Sequence, residues 1–429
     1  MRTFFTVLIF GILMTGCKPK SQKIDIPAPK NQAYVEDFLN LNDTVYYDKV
    51  MGALVGSAIG DAMGASTEMW HRKDIQLQYG YINGLTPLVR DQSPEGPWAH
   101  NLLAGATTDD TRWKYLMGKY FQSHKEDLSA SNFAAFISSY HSSLTNELGE
   151  KSIQKNPDSL DAQIEKIDWI KEWAKVATAF QKDSKTYVEA QNRFYGGEMS
   201  CAGQLYTSMF GLIAKSPSEA YELAYQHSLF DIGYAKDISS LVSVLTHMAM
   251  RTQSMDSILN TVAFVDPKRY QDSRLIGRIP YALLDNAQKS VRSIKQQLLV
   301  DSLIVQDSIT FKIPKGFEGS PTNWARQEMV YQMLEKEQRA IAFHSAEIWQ
   351  ILVTALEFGQ GDFEKTMQFI VNYGRDNDTV AAIAGMILGA KVGYHNLPDD
   401  LKEEVLRVNK ENLGIDLEAL AREIASIEK

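Results

Sequence analysis

Asn372-Tyr373-Gly374-Arg375-Asp376-Asn377-Asp378-Thr379 runs straight into Val380-Ala381-Ala382-Ile383-Ala384-Gly385, and the reading of the whole chain works outward from this junction. Two aspartates one residue apart stand before a run that is apolar and helical in pattern. An Asp or Thr at such a start caps the helix by accepting a hydrogen bond from its free N–H groups. Gly385, Gly389 and Gly393 then recur every fourth residue, on one face, where a second backbone can approach closely. Oxygen ligands held at the mouth of a tightly packed helix suit Mg²⁺ or Mn²⁺ rather than zinc. A capped helix with a solvated acidic turn is the plainer reading of this stretch alone.

A second stretch repeats the device. Gly52, Gly56, Gly60 and Gly64 lie four apart, with Leu54, Val55, Ala58, Ile59 and Met63 between them. Glycine inside a helix costs about 1 kcal/mol against alanine, so a register of four implies close helix–helix approach. The two glycine helices are expected to pack on one another. Asp48 and Asp61 within the segment exclude a membrane-spanning pair. Gly60-Asp61-Ala62 and Glu68 put carboxylates at the end of this helix and in the turn after it. Residues 71–106, rich in Gly, Pro and Trp, read as a long loop in which Trp98 and His100 suggest a lid. Thr107-Thr108-Asp109-Asp110-Thr111 opens the next helix, and adjacent aspartates point different ways, so both cannot cap it.

Further helices follow over 132–183, where Ile164, Ile167, Trp173, Ala174, Ala177 and Phe180 carry three- and four-residue spacings. Tyr195-Gly196-Gly197-Glu198-Met199-Ser200-Cys201-Ala202-Gly203 is a glycine-rich turn of the kind that offers N–H groups to a phosphate. The next helix, from Ser218, breaks near His227, which on its own reads as a packing histidine. Residues 257–325 read as an irregular, mostly helical insertion, with a short strand at Ser308–Ile313. No repeat and no βαβ rhythm appears. The expectation is an all-α, single compact multi-helix catalytic domain over 41–429.

With 44% hydrophobic and 23% charged residues in 429, the chain has ordinary globular composition. A formal charge of −9 without a basic stripe argues against nucleic acid as a partner. At the start, Arg2 and the apolar Phe4–Met14 lead into Leu13-Met14-Thr15-Gly16-Cys17, which resembles a bacterial lipobox. Residues 1–16 are expected to be a lipoprotein signal peptide, Cys17 the lipidated new N-terminus, and 17–40 a polar tether to the membrane. No later run is long and apolar enough for a transmembrane helix. Cys17 and Cys201 are the only cysteines, so no disulfide framework is expected.

Together the acid motifs bring Asp109, Asp110, Asp376 and Asp378, with hydroxyls from Thr108 and Thr379. Such carboxylates gathered at one place repel unless cations intervene, and two divalent ions would balance four of them. A paired-metal site lowers the pKa of a water toward neutrality, which suits hydrolysis. Departure of a group from a ribose C1 would then pass through an oxocarbenium-like state.

The run from Gly52 to Ala65 with Glu68, then Thr108-Asp109-Asp110-Thr111, then Asp376-Asn377-Asp378-Thr379 with its glycine helix, resembles the ADP-ribosylglycohydrolase family, of the dinitrogenase-reductase-activating glycohydrolase type. The resemblance spans about Val50 to Gly393. It implies a binuclear Mg²⁺ or Mn²⁺ cleft with Thr108, Asp109, Asp110, Asp376, Asp378 and Thr379 as ligands. Catalytic candidates are Glu68, Asp109 and Asp110, with the acid/base role open between Asp109 and Glu68. Gly197, Met199 and Ser200 fall in the family's substrate-touching loop, and His227, Gly233 and Tyr234 resemble a further substrate-side segment. Arg375, where many relatives have glycine, and Glu198 and Cys201 in the middle loop are departures that change the rim.

The expected function is metal-dependent hydrolysis of the N- or O-glycosidic bond of ADP-ribose conjugates, on the periplasmic side of the cell envelope. Two alternatives stand beside it: an exported hydrolase of ribosides or ADP-ribose derivatives for scavenging, and a non-catalytic ADP-ribose-binding lipoprotein.

Overall fold

The computed structural model describes residues 42–89, 101–151, 157–306 and 311–427, all within one compact unit. The signal peptide, Cys17 and tether proposed from sequence, and the lid residues Trp98 and His100, lie outside the described residues.

The two glycine helices, Asp43–Gly64 and Asn377–Val392, form the axis of the fold, and they run antiparallel. A side chain at Gly52 would meet the Gly389 carbonyl oxygen at 2.5 Å, and one at Gly56 would overlap that of Gly385. Gly60 lies against the backbone of Ala381 and Gly64 against that of Asp378. Every residue from Lys49 to Gly64, and from Asn377 to Ala390, is buried. Helices apolar all round belong inside a bundle, and these two are enclosed by others. Asp109–Ser123 and Leu417–Ala425 pack on the first; Ala235–Ala249, Ser345–Gly359 and Phe363–Tyr373 pack on the second. The buried Lys49 ammonium donates to the carbonyls of Ala390 (2.7 Å) and Lys391 (2.9 Å), satisfying acceptors left over at the second helix's C-terminus.

The fold is all-α, in agreement with the sequence pattern. Strands among the described residues are two-residue pairs: Trp70–His71 with Gly374–Arg375, and Leu88–Val89 with Asn101–Leu102, both antiparallel. No described helix is long and apolar enough to cross a membrane.

Two segments differ from expectation. The supposed loop after Glu68 holds a helix, Arg72–Gln78, and buried Arg72 ion-pairs with Glu328 (2.6 Å) and Glu335 (2.5 Å) of Pro321–Glu335. Residues 257–325 are mostly helical as expected, but more regular in one part, where the 18-residue helix Ile279–Gln296 stands between irregular stretches. Its apolar stripe, Pro280, Leu284, Ala287, Val291 and Ile294, packs toward Ser345–Gly359, and Trp349 Nε1 donates to the Pro280 carbonyl at 2.9 Å. In the supposed strand, 308–310 lie outside the described residues and Phe311–Ile313 are not extended into a sheet.

Candidate functional site

Antiparallel packing of the glycine helices carries the end of the first to the start of the second. Gly64, with no side chain, lets the Asp378 backbone settle onto it. Asn377 Nδ2 then donates to Thr67 Oγ1 (2.9 Å) and to the Val371 carbonyl (3.1 Å), holding the turn before Glu68 to the turn carrying Asp376 and Asp378. A third stretch of chain arrives through Thr379, whose hydroxyl donates to Asp110 Oδ2 at 3.0 Å across 269 positions. The structure therefore brings the two acid motifs together.

Neither motif serves as a helix cap. Thr108 and Asp376 occupy cap positions without a capping side-chain bond. Asp61, near the end of the first glycine helix, does that work for Asp109–Ser123. Its carboxylate accepts from the N–H groups of Thr108 and Thr111 at 3.0 Å each, and from their hydroxyls at 2.9 and 2.6 Å. Because Asp61 fixes Thr108 and Thr111, it sets the direction of the aspartates between them.

Asp110, Asp376 and Asp378 are each at most 3% exposed, and Glu68 6%. Burial raises the carboxyls of Asp110 and Asp378 well above the usual range. Lys114 opposes the rise at Asp110, while Asp61, Asp109 and Asp376 add to it; Glu68, Asp376, Asp110 and Asp61 add to that of Asp378. Burial pushes Asp376 up to about 6. Lys114 Nζ, itself buried, sits 3.0 Å from the Asp110 carbonyl and 3.5 Å from Oδ1. One ammonium is too little charge for this many acids.

Asp378 Oδ1 is buried and makes no hydrogen bond, and Asp110 Oδ1 makes none beyond its ion pair with Lys114 Nζ at 3.5 Å. A buried carboxylate oxygen without a hydrogen bond calls for a water or an ion beside it. Among the described residues no three acidic, cysteine or histidine side chains already converge as a metal cage. The donor chemistry nevertheless fits hard divalent cations: carboxylates and hydroxyls from two helix starts, with excess negative charge.

Above the acids opens a cavity of about 700 Å³, within the range of small-molecule sites. Asp109, Asp376 and Thr379 reach it from below. Trp169, Trp173, Lys171 and Lys175 of the helix Pro157–Lys182 form one wall, with Tyr195 and Phe343 also lining the cavity. Trp173 is backed by Trp113 (ring centroids 4.5 Å apart) and Phe230 (4.6 Å), so the wall is anchored in the core. Of the substrate-loop residues, Ser200 lines the cavity, while Gly197, Met199, Gly233 and Tyr234 stand outside its lining. Met199 packs against Gly233 instead.

The substrate-side role that the resemblance implies for His227 is corrected, its packing reading holds, and the phosphate-cradle reading of the glycine-rich turn is corrected as well. His227 is a core residue, fully buried among Phe210, Phe133 and Tyr120, with Nδ1 2.6 Å from the Leu223 carbonyl and Nε2 3.1 Å from the Tyr120 hydroxyl. Burial lowers its pKa to about 4, so it stays neutral. The glycine-rich turn is not an open phosphate cradle. Gly203 N–H donates to Asp231 Oδ1 (2.7 Å) and Cys201 N–H to the Phe343 carbonyl (2.9 Å).

Asp231 gives a pH prediction. It is fully buried, accepts from Ser239 Oγ at 2.6 Å, and burial raises its carboxyl to about 7 from an ordinary 3.8. A raised carboxyl stabilises fully below its unfolded value and loses that contribution as pH rises through about 7. The wild type should therefore lose on the order of a few kcal/mol between pH 5 and 8.5 from this group, and Asp231→Asn should lose less. Urea midpoints at both pH values measure the difference; equal pH slopes would refute it.

Arg375 gives another. Its φ of +65° is a left-handed conformation, and its neighbour Gly374 is also positive. The position suits glycine, yet arginine is held there by Glu347 (Nε–Oε1 2.6 Å, Nη2–Oε2 3.1 Å) and by the Arg339 carbonyl (3.0 Å). Strain of about 1 kcal/mol is offset by a charged clamp. Arg375→Gly removes both and should destabilise by about 1 kcal/mol. Arg375→Ala keeps the strain and loses the clamp, so it should cost about 2–3 kcal/mol. Chemical denaturation that ranks alanine above glycine would count against this account.

The chain belongs to the ADP-ribosylglycohydrolase family, whose model matches residues 42–429. It is similar to the uncharacterized protein YegU of Escherichia coli (strain K12), with 22% identity over 394 residues, covering 87% of this chain and 97% of that one. A shorter match, 34% over 73 residues, is to the ADP-ribosyl-[dinitrogen reductase] glycohydrolase of Rhodospirillum rubrum, covering 17% of this chain and 22% of that protein. A solved ADP-ribosylglycohydrolase-related protein complex aligns with 90% of this chain and 100% of its own, at 16% identity and a TM-score of 0.47. Family membership supports a glycohydrolase function and an ADP-ribose type of substrate.

Sequence reasoning misses Asp61 as an organiser, and Trp169 with Lys171 and Lys175 as cavity wall. Asp61 does carry a signal, as an acid inside an otherwise apolar glycine helix.

Proposed function

We propose that the chain is a divalent-metal-dependent hydrolase of the glycosidic bond in ADP-ribose conjugates, anchored by lipid at Cys17 and working outside the cytoplasm. The observation that carries it is the meeting of Thr108–Thr111 with Asp376–Thr379 under the cavity, with Asp378 Oδ1 buried and without a hydrogen bond. Thr108, Asp109, Asp110, Asp376, Asp378 and Thr379 would hold two Mg²⁺ or Mn²⁺ ions. When bound, such ions supply Lewis acidity and an acidified water.

The chain's own residues do the rest. Asp61 orients the Thr108–Thr111 turn, and Asn377 keeps Glu68 and Asp378 at one place. Trp169 and Trp173 would present aromatic surface to a base, and Lys171 and Lys175 would present charge to phosphates, beside the acids Asp168 and Glu172 of the same wall. Asp109, which reaches the cavity while Asp110 lies behind it, is placed to exchange a proton with the leaving group or the attacking water; Glu68 is the other candidate.

The test is release of ADP-ribose by the full-length chain from arginine-, serine- and O-acetyl-linked ADP-ribose, with simple nucleosides alongside. Release that disappears with EDTA and with Asp376→Ala/Asp378→Ala is the expected result. Cleavage of nucleosides alone would move the assignment to a scavenging ribosidase. Silence on every substrate in a metal-loaded protein would favour a binding lipoprotein.

A further inference from the structure

We propose that Cys201 is a sulfur ligand of the acid site, sharing one divalent ion with Asp376 and making that position favour thiophilic ions such as Co²⁺, Zn²⁺ or Cd²⁺. This rests on the metal-dependent reading above. Cys201 is buried, lines the cavity beside Asp376, and its thiol donates a hydrogen bond to Asp376 Oδ2 with Sγ and Oδ2 3.8 Å apart. With metal–sulfur and metal–oxygen bonds of about 2.3 and 2.1 Å at a tetrahedral angle, two such ligands sit about 3.6 Å apart. The observed span is therefore that of a pair able to share an ion with little movement.

The thiol is held there by its backbone. Cys201 N–H donates to the Phe343 carbonyl, its carbonyl accepts from Gln204 N–H at 2.7 Å, and Ser345 N–H donates to the Met199 carbonyl at 2.7 Å. Behind it, Gly203 is tied to Asp231. Independent of the cysteine, Asp378 Oδ1, two residues on from Asp376, is buried with no hydrogen bond and points to a ligand at this acid turn. On binding, the S–H bond breaks, a metal–sulfur bond forms and the proton leaves to water, with no change of oxidation state.

Cobalt reports this directly. In the full-length chain carrying Cys17→Ser, Cys201 is the only cysteine. Titration with Co²⁺ should produce a saturable thiolate-to-cobalt charge-transfer band in the near ultraviolet. Cys201→Ser and Cys201→Ala should abolish it while keeping the visible d–d bands. They should also weaken Cd²⁺ binding by about 10–100-fold and Mn²⁺ binding far less. Bound Co²⁺ showing only d–d bands would overturn the sulfur ligand and leave the oxygen site standing. No binding of Co²⁺, Mn²⁺ or Mg²⁺ by calorimetry would overturn both. Should either variant fail to fold, the band in the parent protein decides the question alone.

Discussion

Gly60→Leu should leave the chain unfolded, and Gly60→Ala should cost about 2–3 kcal/mol even though alanine is the better helix former. A Cβ at Gly60 overlaps the carbonyl of Ala381, which is backbone within a fully buried stretch of helix. Nothing there yields cheaply. Separating the helices would break the packing at Gly56 and Gly385 and lift Gly64 off Asp378, so the acid site would open with the core. Overpacking of this kind typically costs about 1–3 kcal/mol or more, against about 1 kcal/mol gained from helix propensity. Gly118→Ala is the control. Its Cβ meets Leu420 Cδ1, the far end of a flexible side chain, so the change should stay within about 1 kcal/mol of wild type. Thermal or urea unfolding of the pair tests the argument. Equal, mild effects would mean that the helices are not pressed backbone to backbone.

Asp378→Asn should lower the metal-dependent hydrolysis proposed above by more than the roughly 100-fold that changes behind a metal ligand produce, and yet stabilise the metal-free protein. Both effects have one cause. Asp378 is buried among Glu68, Asp376, Asp110 and Asp61, and one of its oxygens has no hydrogen bond. In metal-free protein near neutral pH, its ionisation is opposed by burial and by every acid around it. The amide has nearly the same shape and no charge, so melting temperature should rise by at least about 2 °C. Adding Mn²⁺ should raise the melting temperature of the wild type and do little for the variant. A variant that keeps its activity would remove Asp378 from the site. A variant less stable than wild type without metal would show that the acids are not in conflict.

Glycine spacing alone is enough to pair the two axial helices, because a row of glycines has few uses other than close approach. The acid motifs are legible for a related reason, since carboxylates beside a helix start stand out from an apolar background. The packing role of His227 is the reading its position gives on its own, but the Gly203 N–H is not legible in this way, because what a histidine or a turn N–H faces depends on which chain segment packs over it. For His227 that segment is an aromatic cluster, and for Gly203 it is Asp231. The helix Ile279–Gln296 is readable in principle from Pro280, Leu284, Ala287, Val291 and Ile294, whose spacing is helical within a polar sequence.

The all-α class, the helix pair and the identity of the acids are already written in the chain, because they depend on local periodicity and on residue type. Long-range packing is what makes Asp61 hold Thr108 and Thr111, brings Asp110 to Thr379, and stands Cys201 beside Asp376. These contacts join positions 47 to 269 residues apart. Their geometry comes from the antiparallel register of two backbones in contact, and no local pattern encodes a register.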